Sequence, residues 1–286
     1  MNSRKSSKFA GARNSKSSPV SNLLGVLVIL IFGFPVYWMI DTSFKPTGEI
    51  LTVKPNFIPI HPTLSNYTTA FHTDFFLSAV RNSLIVVFST VLVSLAIALL
   101  ASIAVARMNF RGKSAYIVIL LIVQMFPLIA LLIPLFVLLS NAGLSDTLPG
   151  VIISYIAFVL PFVIWTLRGF LIGIPVELEE AALIDGCTRP QAYRRILFPL
   201  MAPGLVATAT FAFIQAWNEF LLAYILTSSQ DKATLPVWLA GFTTREGTNW
   251  GPLMAASCVA SLPVVIGFLV MQRKISTGLT AGAVKG

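Results

Sequence analysis

The sequence predicts an all-α integral membrane protein: six transmembrane helices, both termini cytoplasmic, and a pair of short cytoplasmic helices between spans four and five. Three observations carry that prediction. Of the 286 residues, 56% are hydrophobic and only 11% charged, where a soluble domain carries about a quarter charged residues, and mean hydropathy is +0.83. Six apolar runs reach the roughly 20 residues a helix needs to cross the hydrocarbon core. The cations fall unevenly between the loops that join those runs.

In chain order, residues 1–21 form a Ser-rich tail carrying Arg4, Lys5, Lys8, Arg13 and Lys16. It is predicted to be disordered and held near anionic lipid. The first apolar run, 22–40, has the basic flank of a signal peptide but no small-x-small cleavage site, so it is predicted to stay as a signal anchor. The remaining runs are 82–106, 115–139, 148–171, 204–227 and 252–271. All must be helical, because an unpaired backbone group in lipid costs several kcal/mol. The transmembrane domain is thus bounded at 22–274, with a cytoplasmic tail at 275–286. Pro127, Pro134, Pro161 and Pro263 fall inside runs and predict kinks.

Orientation follows from Lys and Arg. The tail cations, Arg107, Arg111 and Lys113 after the second run, Arg168, Arg189, Arg194 and Arg195 after the fourth, and Arg273, Lys274 and Lys285 at the end share one side. Only Lys45, Lys54, Arg81, Lys232 and Arg245 lie on the other. The richer side is cytoplasmic, which leaves the 44–77 and 228–251 segments external. The positive charge therefore speaks for membrane orientation and not for nucleic acid. Cys187 and Cys258, and His61 and His72, have no metal-ligand spacing, so neither a metal site nor a disulfide is predicted.

Residues 175–199 are charged in an otherwise apolar chain. Pro175 suits a first helical turn, and Glu177, Glu179 and Glu180 suit the positive end of a helix dipole. Gly186 stands where a left-handed cap is needed. Thr188-x-x-Gln191 reads as a capping box for a second helix, and Pro199 and Pro203 lead into the fifth run. A solvated loop, a DNA-reading helix–turn–helix and a docking knob all have this local form. Tethering to the membrane at both ends disfavours the second. Ala181 and Ala182 permit close approach, Leu183 and Ile184 offer apolar contact, and the charges around them would fix register.

This segment resembles the signature EAA-x3-G-x9-I-x-L-P of permease subunits of ATP-binding-cassette importers. It has Glu180, Ala181, Ala182, Gly186, Ile196 and Pro199 in place, with Phe198 where the family has Leu. PTLSNY (62–67), QAWNEFLLA (215–223), TNWGPLMAAS (248–257) and GLTAGAVKG (278–286) are similar to the carbohydrate-uptake branch, specifically the smaller permease of maltose-type pairs. The resemblance implies that 175–199 are coupling helices seated in a groove of a separate ATPase, with Glu180, Ala181, Ala182, Leu183, Asp185, Gly186, Ile196 and Pro199 at the contact. It implies that Gly278, Leu279 and Thr280 reach toward the ATPase, and that the 228–251 loop faces an external sugar-binding protein. The implied partners are a second permease forming a heterodimer, two copies of the ATP-binding subunit, the binding protein and membrane lipid. ATP and Mg would be bound by the ATPase.

The chain itself offers no nucleotide site. Gly112-Lys113-Ser114 resembles the end of a P-loop, but Arg107 stands where its first glycine belongs. No catalytic constellation is apparent, so a non-enzymatic subunit of a bacterial or archaeal cytoplasmic membrane is predicted. Polar residues in spans are candidates for the substrate path: Gln124, Tyr155, Gln215, Asn218 and Glu219, with Phe126 or Phe158 to stack on a sugar. Glu219 and Asn218 could equally pin helix packing. The competing class is an ion-coupled secondary transporter, which would show repeated halves and several intramembrane ionisable groups. No repeat is visible, and Glu219 is the one clear acid. The resemblance points to a disaccharide or oligosaccharide, such as maltose, trehalose or an amino sugar.

Overall fold

The computed structural model describes residues 19–283, with side chains for residues 20 and 22–269. The predicted N-terminal tail thus lies outside the described residues for all but its last three positions. The helices are α1 (Pro19–Ser43), α2 (Thr47–Ile50), α3 (Ser65–His72), α4 (Phe76–Arg107), α5 (Lys113–Met125), α6 (Leu128–Asn141) and α7 (Leu148–Ile172). There follow α8 (Glu177–Ile184), α9 (Arg189–Ala192), a π turn (Tyr193–Leu197), α10 (Phe198–Trp217), α11 (Leu221–Leu226), α12 (Leu235–Ala240) and α13 (Trp250–Ala283). A two-stranded hairpin, β1 (Thr243–Thr244) with β2 (Gly247–Thr248), precedes α13.

Among the described residues, five helices are long and apolar enough to cross a membrane, or six if one bent pair counts as a span. The bent pair turns the kink expected in 115–139 into a sharp break. That run is α5 and α6, meeting at 100° across Phe126 and Pro127. Pro127 has no N–H to continue a helix and its ring excludes the residue before it from helical geometry; Phe126 is accordingly extended. The 204–227 run is also divided, into α10 and α11 with a break at 218–220. Pro134, Pro161 and Pro263 sit inside continuous helices.

The bundle centres on α4, which packs along α7 and α10. Thr90, Ser94, Ala98 and Ser102 recur every four residues on α4 and are wholly buried. Small side chains on one stripe let helix backbones approach closely, the usual means of association where lipid is as apolar as the helices. Gly204 serves α10 in the same way, since a Cβ there would stand 2.5 Å from the Phe170 ring. One buried cluster, with Val86, Tyr155, Trp217, Leu222 and Trp238, lies toward the start of α4. A second, with Ile103, Val163, Leu167, Leu197 and Met201, lies toward its end. In contrast, α1 leans on α13 and leaves most of its apolar side chains uncovered.

The end of the bundle where α4 starts is held by two polar locks. In the first, Asn66 on α3 donates to the carbonyls of Ser43 (2.9 Å) and Lys45 (2.8 Å), joining α3 to the end of α1. Gly251 at the start of α13 makes room for it: a Cβ would stand 2.3 Å from Asn66 Oδ1. PTLSNY and TNWGPLMAAS therefore meet in space. Gly251→Ala is expected to displace the Asn66 amide and cost about 1–3 kcal/mol, read as a lower unfolding temperature of the purified protein. An unchanged temperature would show that the lock yields freely.

In the second lock, Asp146 between α6 and α7 accepts from the N–H groups of Ser228 (2.9 Å) and Ser229 (3.0 Å), the Ser229 hydroxyl and Lys232 (3.3 Å). The Ser229 hydroxyl and N–H, helped by Ser228 and Lys232 and opposed by burial, hold its carboxyl well below the usual carboxylate range. A lowered folded-state pKa stabilises above the unfolded value and is lost as pH falls through the folded one. Protection of the Ser228 and Ser229 amides, corrected for intrinsic exchange, is therefore expected to be full above about pH 4 and to weaken only in stronger acid. Asp146→Ala should remove it at neutral pH. Equal protection in variant and wild type would overturn this role.

Candidate functional site

Two features carry chemistry: a hairpin of helices at the end of the bundle where α4 finishes, and a cavity among α5, α6, α7, α10 and α11. In the hairpin, α8 terminates as the glycine requires. The Cys187 N–H bonds the Ala182 carbonyl at 2.9 Å and the Gly186 N–H bonds that of Leu183 at 3.1 Å, with Gly186 at φ +85°. This is the paired-bond helix stop that a left-handed residue permits. At the start of α9 the Thr188 N–H donates back to Gln191 Oε1 at 2.8 Å. The π turn holds Arg194, Arg195 and Ile196 and carries α9 into α10, where the second short helix was expected to end at Arg194 and Arg195. Such turns re-aim side chains and gather at functional sites.

The hairpin presents an apolar knob ringed by charge. Glu180, Ala181, Leu183, Asp185 and Gly186 are exposed, and Ile184 stands out at 86%. Ala182 differs from expectation: it is 6% exposed and packs inward, because it lies on the opposite face of α8 from Glu180 and Ile184. Ile196 is half-buried and Pro199 exposed. Gly278, Leu279 and Thr280 fall on the last turns of α13, and their side chains lie outside the described residues. Lys113 donates to the Met108 carbonyl at 3.1 Å, a local bond at the α4–α5 turn.

The cavity has a volume of about 500 Å³ and is lined by Gln124, Phe126, Ser154, Phe158, Phe162 and Gln215 among apolar neighbours. Its size suits a small organic ligand. Two amides give donors and acceptors, and the phenyl rings give flat apolar faces, a combination that fits sugar hydroxyls and sugar rings. The bend at Pro127, far sharper than the kink expected there, forms it by splaying α5 from α6. The other sequence-chosen path residues lie elsewhere. Tyr155 is buried and donates to the Glu219 carbonyl at 3.0 Å. The Glu219 carboxylate accepts from the N–H groups of Leu222 (3.0 Å) and Ala223 (3.3 Å), which open α11. Asn218 donates to the Ile214 carbonyl at 2.8 Å and lines a separate cavity of about 310 Å³ with Trp217, Leu239 and Ser261.

Residues 98–278 match the family model of the binding-protein-dependent transport system inner membrane component. The chain belongs to this family. The permease is 45% identical to the diacetylchitobiose uptake system permease protein DasC of Streptomyces coelicolor, over 93% of this chain and 96% of that one. It is 42% identical to the trehalose transport system permease protein SugB of Mycobacterium tuberculosis, over 91% and 96%, and 37% identical to the inner membrane ABC transporter permease protein YcjP of Escherichia coli, over 91% and 94%. Its fold is like that of a chain in the crystal structure of a bacterial ABC transporter involved in the import of the acidic polysaccharide alginate. There the TM-score is 0.77 at 21% identity, covering 92% of the permease and 99% of that chain.

Proposed function

We propose that this permease is the membrane-spanning subunit of an ATP-driven sugar importer that moves a disaccharide or oligosaccharide inward by alternating access. The observation that carries this reading is the exposed knob of α8, Glu180 to Gly186, at one end of the bundle. An apolar tip at the end of a membrane protein is suited to a groove on a soluble subunit, and the motif and family membership supply the ATPase as that subunit. The surplus of cations beside the knob supports a cytoplasmic position for it and for both termini. The chain is then non-catalytic: ATP and Mg are bound by two copies of the ATPase. A second permease would cover the open side of the Gln124–Gln215 cavity to form a heterodimer, and an external sugar-binding protein would meet the 228–251 loop. The names of DasC and SugB favour a disaccharide, and the amide-and-phenyl lining agrees. An ion-coupled carrier would need a free intramembrane acid, whereas Glu219 is engaged by α11.

Affinity purification of the protein from native membranes in mild detergent tests this. The expected result is recovery of an ATPase and a second permease, with binding-protein-dependent uptake of labelled sugar on reconstitution. Recovery of the chain alone, under conditions that keep a control importer whole, would overturn the reading.

A further inference from the structure

Arg107 is the last residue of α4, and its guanidinium makes two bonds. Nε donates to Glu179 Oε1 at 2.6 Å, and Nη2 donates to the Ile174 carbonyl at 2.9 Å. Glu179 sits in the first turn of α8, and Ile174 in the short linker that brings α7 into it. The two side chains expose only 7% and 10%. Glu177 and Glu180 flank Glu179 and face solvent, so one acid of the three turns inward.

A buried ion pair is a poor source of net stability, since desolvation offsets the attraction. An apolar pair of similar size would hold α8 equally well. What the charged pair adds is a fixed register: short, directional, charge-assisted bonds allow one position of α8 against α4. The planar guanidinium also grips two groups at a set angle, which a lysine ammonium does not reproduce. The other main packing partners of α8 are α9 and the π turn, which lead into α10. A push on the hairpin reaches α10 along the chain. It reaches the end of α7 through the 173–176 linker, which Arg107 also grips, and α4 through Arg107.

We propose that the Arg107–Glu179 pair, with the Ile174 carbonyl, is a strut that carries displacement of α8 to the α4–α7 pair and so links the ATPase to the moving spans. This rests on the docking function proposed for α8. Neither residue touches the ATPase or the sugar; both are positioning residues.

The test uses the complete transporter in lipid nanodiscs. Mg·ATP hydrolysis is measured with and without the external binding protein, presaturated with trehalose or diacetylchitobiose. Glu179→Gln and Arg107→Gln should keep the ATPase bound and its basal rate intact, while stimulation by the binding protein falls about tenfold. Arg107→Lys should fall between them and wild type, and it carries the test if the glutamine variants fail to accumulate. The double exchange Arg107→Glu with Glu179→Arg should recover part of the stimulation, since it restores the ion pair but not the donor to the Ile174 carbonyl. Stimulation equal to wild type in the single variants would overturn the strut while leaving the importer reading intact. Loss of the ATPase from every variant, with no recovery in the exchange, would overturn it as a mere folding contact. A wild-type preparation that holds no ATPase, or whose ATPase is not stimulated, would overturn it as well, the former together with the docking reading.

Discussion

Gly186→Trp is expected to abolish ATPase docking and uptake, whereas Gly186→Ala should spare most of both. The two substitutions separate the two demands on this position. The first is conformational. Gly186 lies at φ +85°, where a side chain costs about 1–2 kcal/mol, and both substitutions incur that cost. The second demand is space, and it does not come from within the chain: a Cβ at Gly186 meets nothing within 4 Å. An indole there has room in the isolated permease and obstructs only what seats on the hairpin. Alanine should therefore soften the α8 stop while the ATPase still co-purifies, and tryptophan should lose it, with uptake at background and the protein still in the membrane. Equal behaviour of the two variants would assign the position to turn geometry and remove it from the docking surface. Normal uptake by the tryptophan variant would count against docking through α8 altogether.

The parts of this protein legible in the sequence are those set by neighbours along the chain. The apolar runs reappear as α1, α4, α7, α10 and α13 because hydropathy over 20 residues measures the property that lets a helix sit in lipid. The hairpin was legible because Gly186, Thr188 and Gln191 act on backbone groups within a few residues of themselves. In two runs the break was underestimated, for one reason. A hydropathy window does not register whether the backbone within it is continuous: Pro127 was marked only for a kink, and the single Glu219 lowers the local hydropathy without ending the apolar run. The cavity followed from the first interruption. The strut was hidden differently. Arg107 and Glu179 were each explained locally, by orientation and by the helix dipole, and nothing periodic links residues 72 positions apart. The shared side of the membrane was the only available signal.

The second interruption makes the other large prediction. Glu219→Ala should lower the unfolding temperature of the purified protein and its yield in the membrane, by about 2–4 kcal/mol in stability. The break at 218–220 leaves the first N–H groups of α11 without helical partners. In water that cost would be small, but here Glu219 is 8% exposed and lies in an apolar stretch. Its carboxylate meets two of those donors, Leu222 and Ala223, and the Tyr155 hydroxyl meets its own carbonyl. The capping role has a discriminating variant. Glutamine keeps one oxygen able to accept a bond, so Glu219→Gln should retain most of the stability and the uptake, and Tyr155→Phe should cost about 1 kcal/mol. A path acid or a proton carrier behaves in the opposite way: its charge is what matters, so glutamine would stop transport while alanine left the fold intact. Thermal unfolding and uptake measured on the same three variants tell the two apart. The capping geometry requires that stability rank wild type above Gln above Ala, with uptake following stability rather than charge.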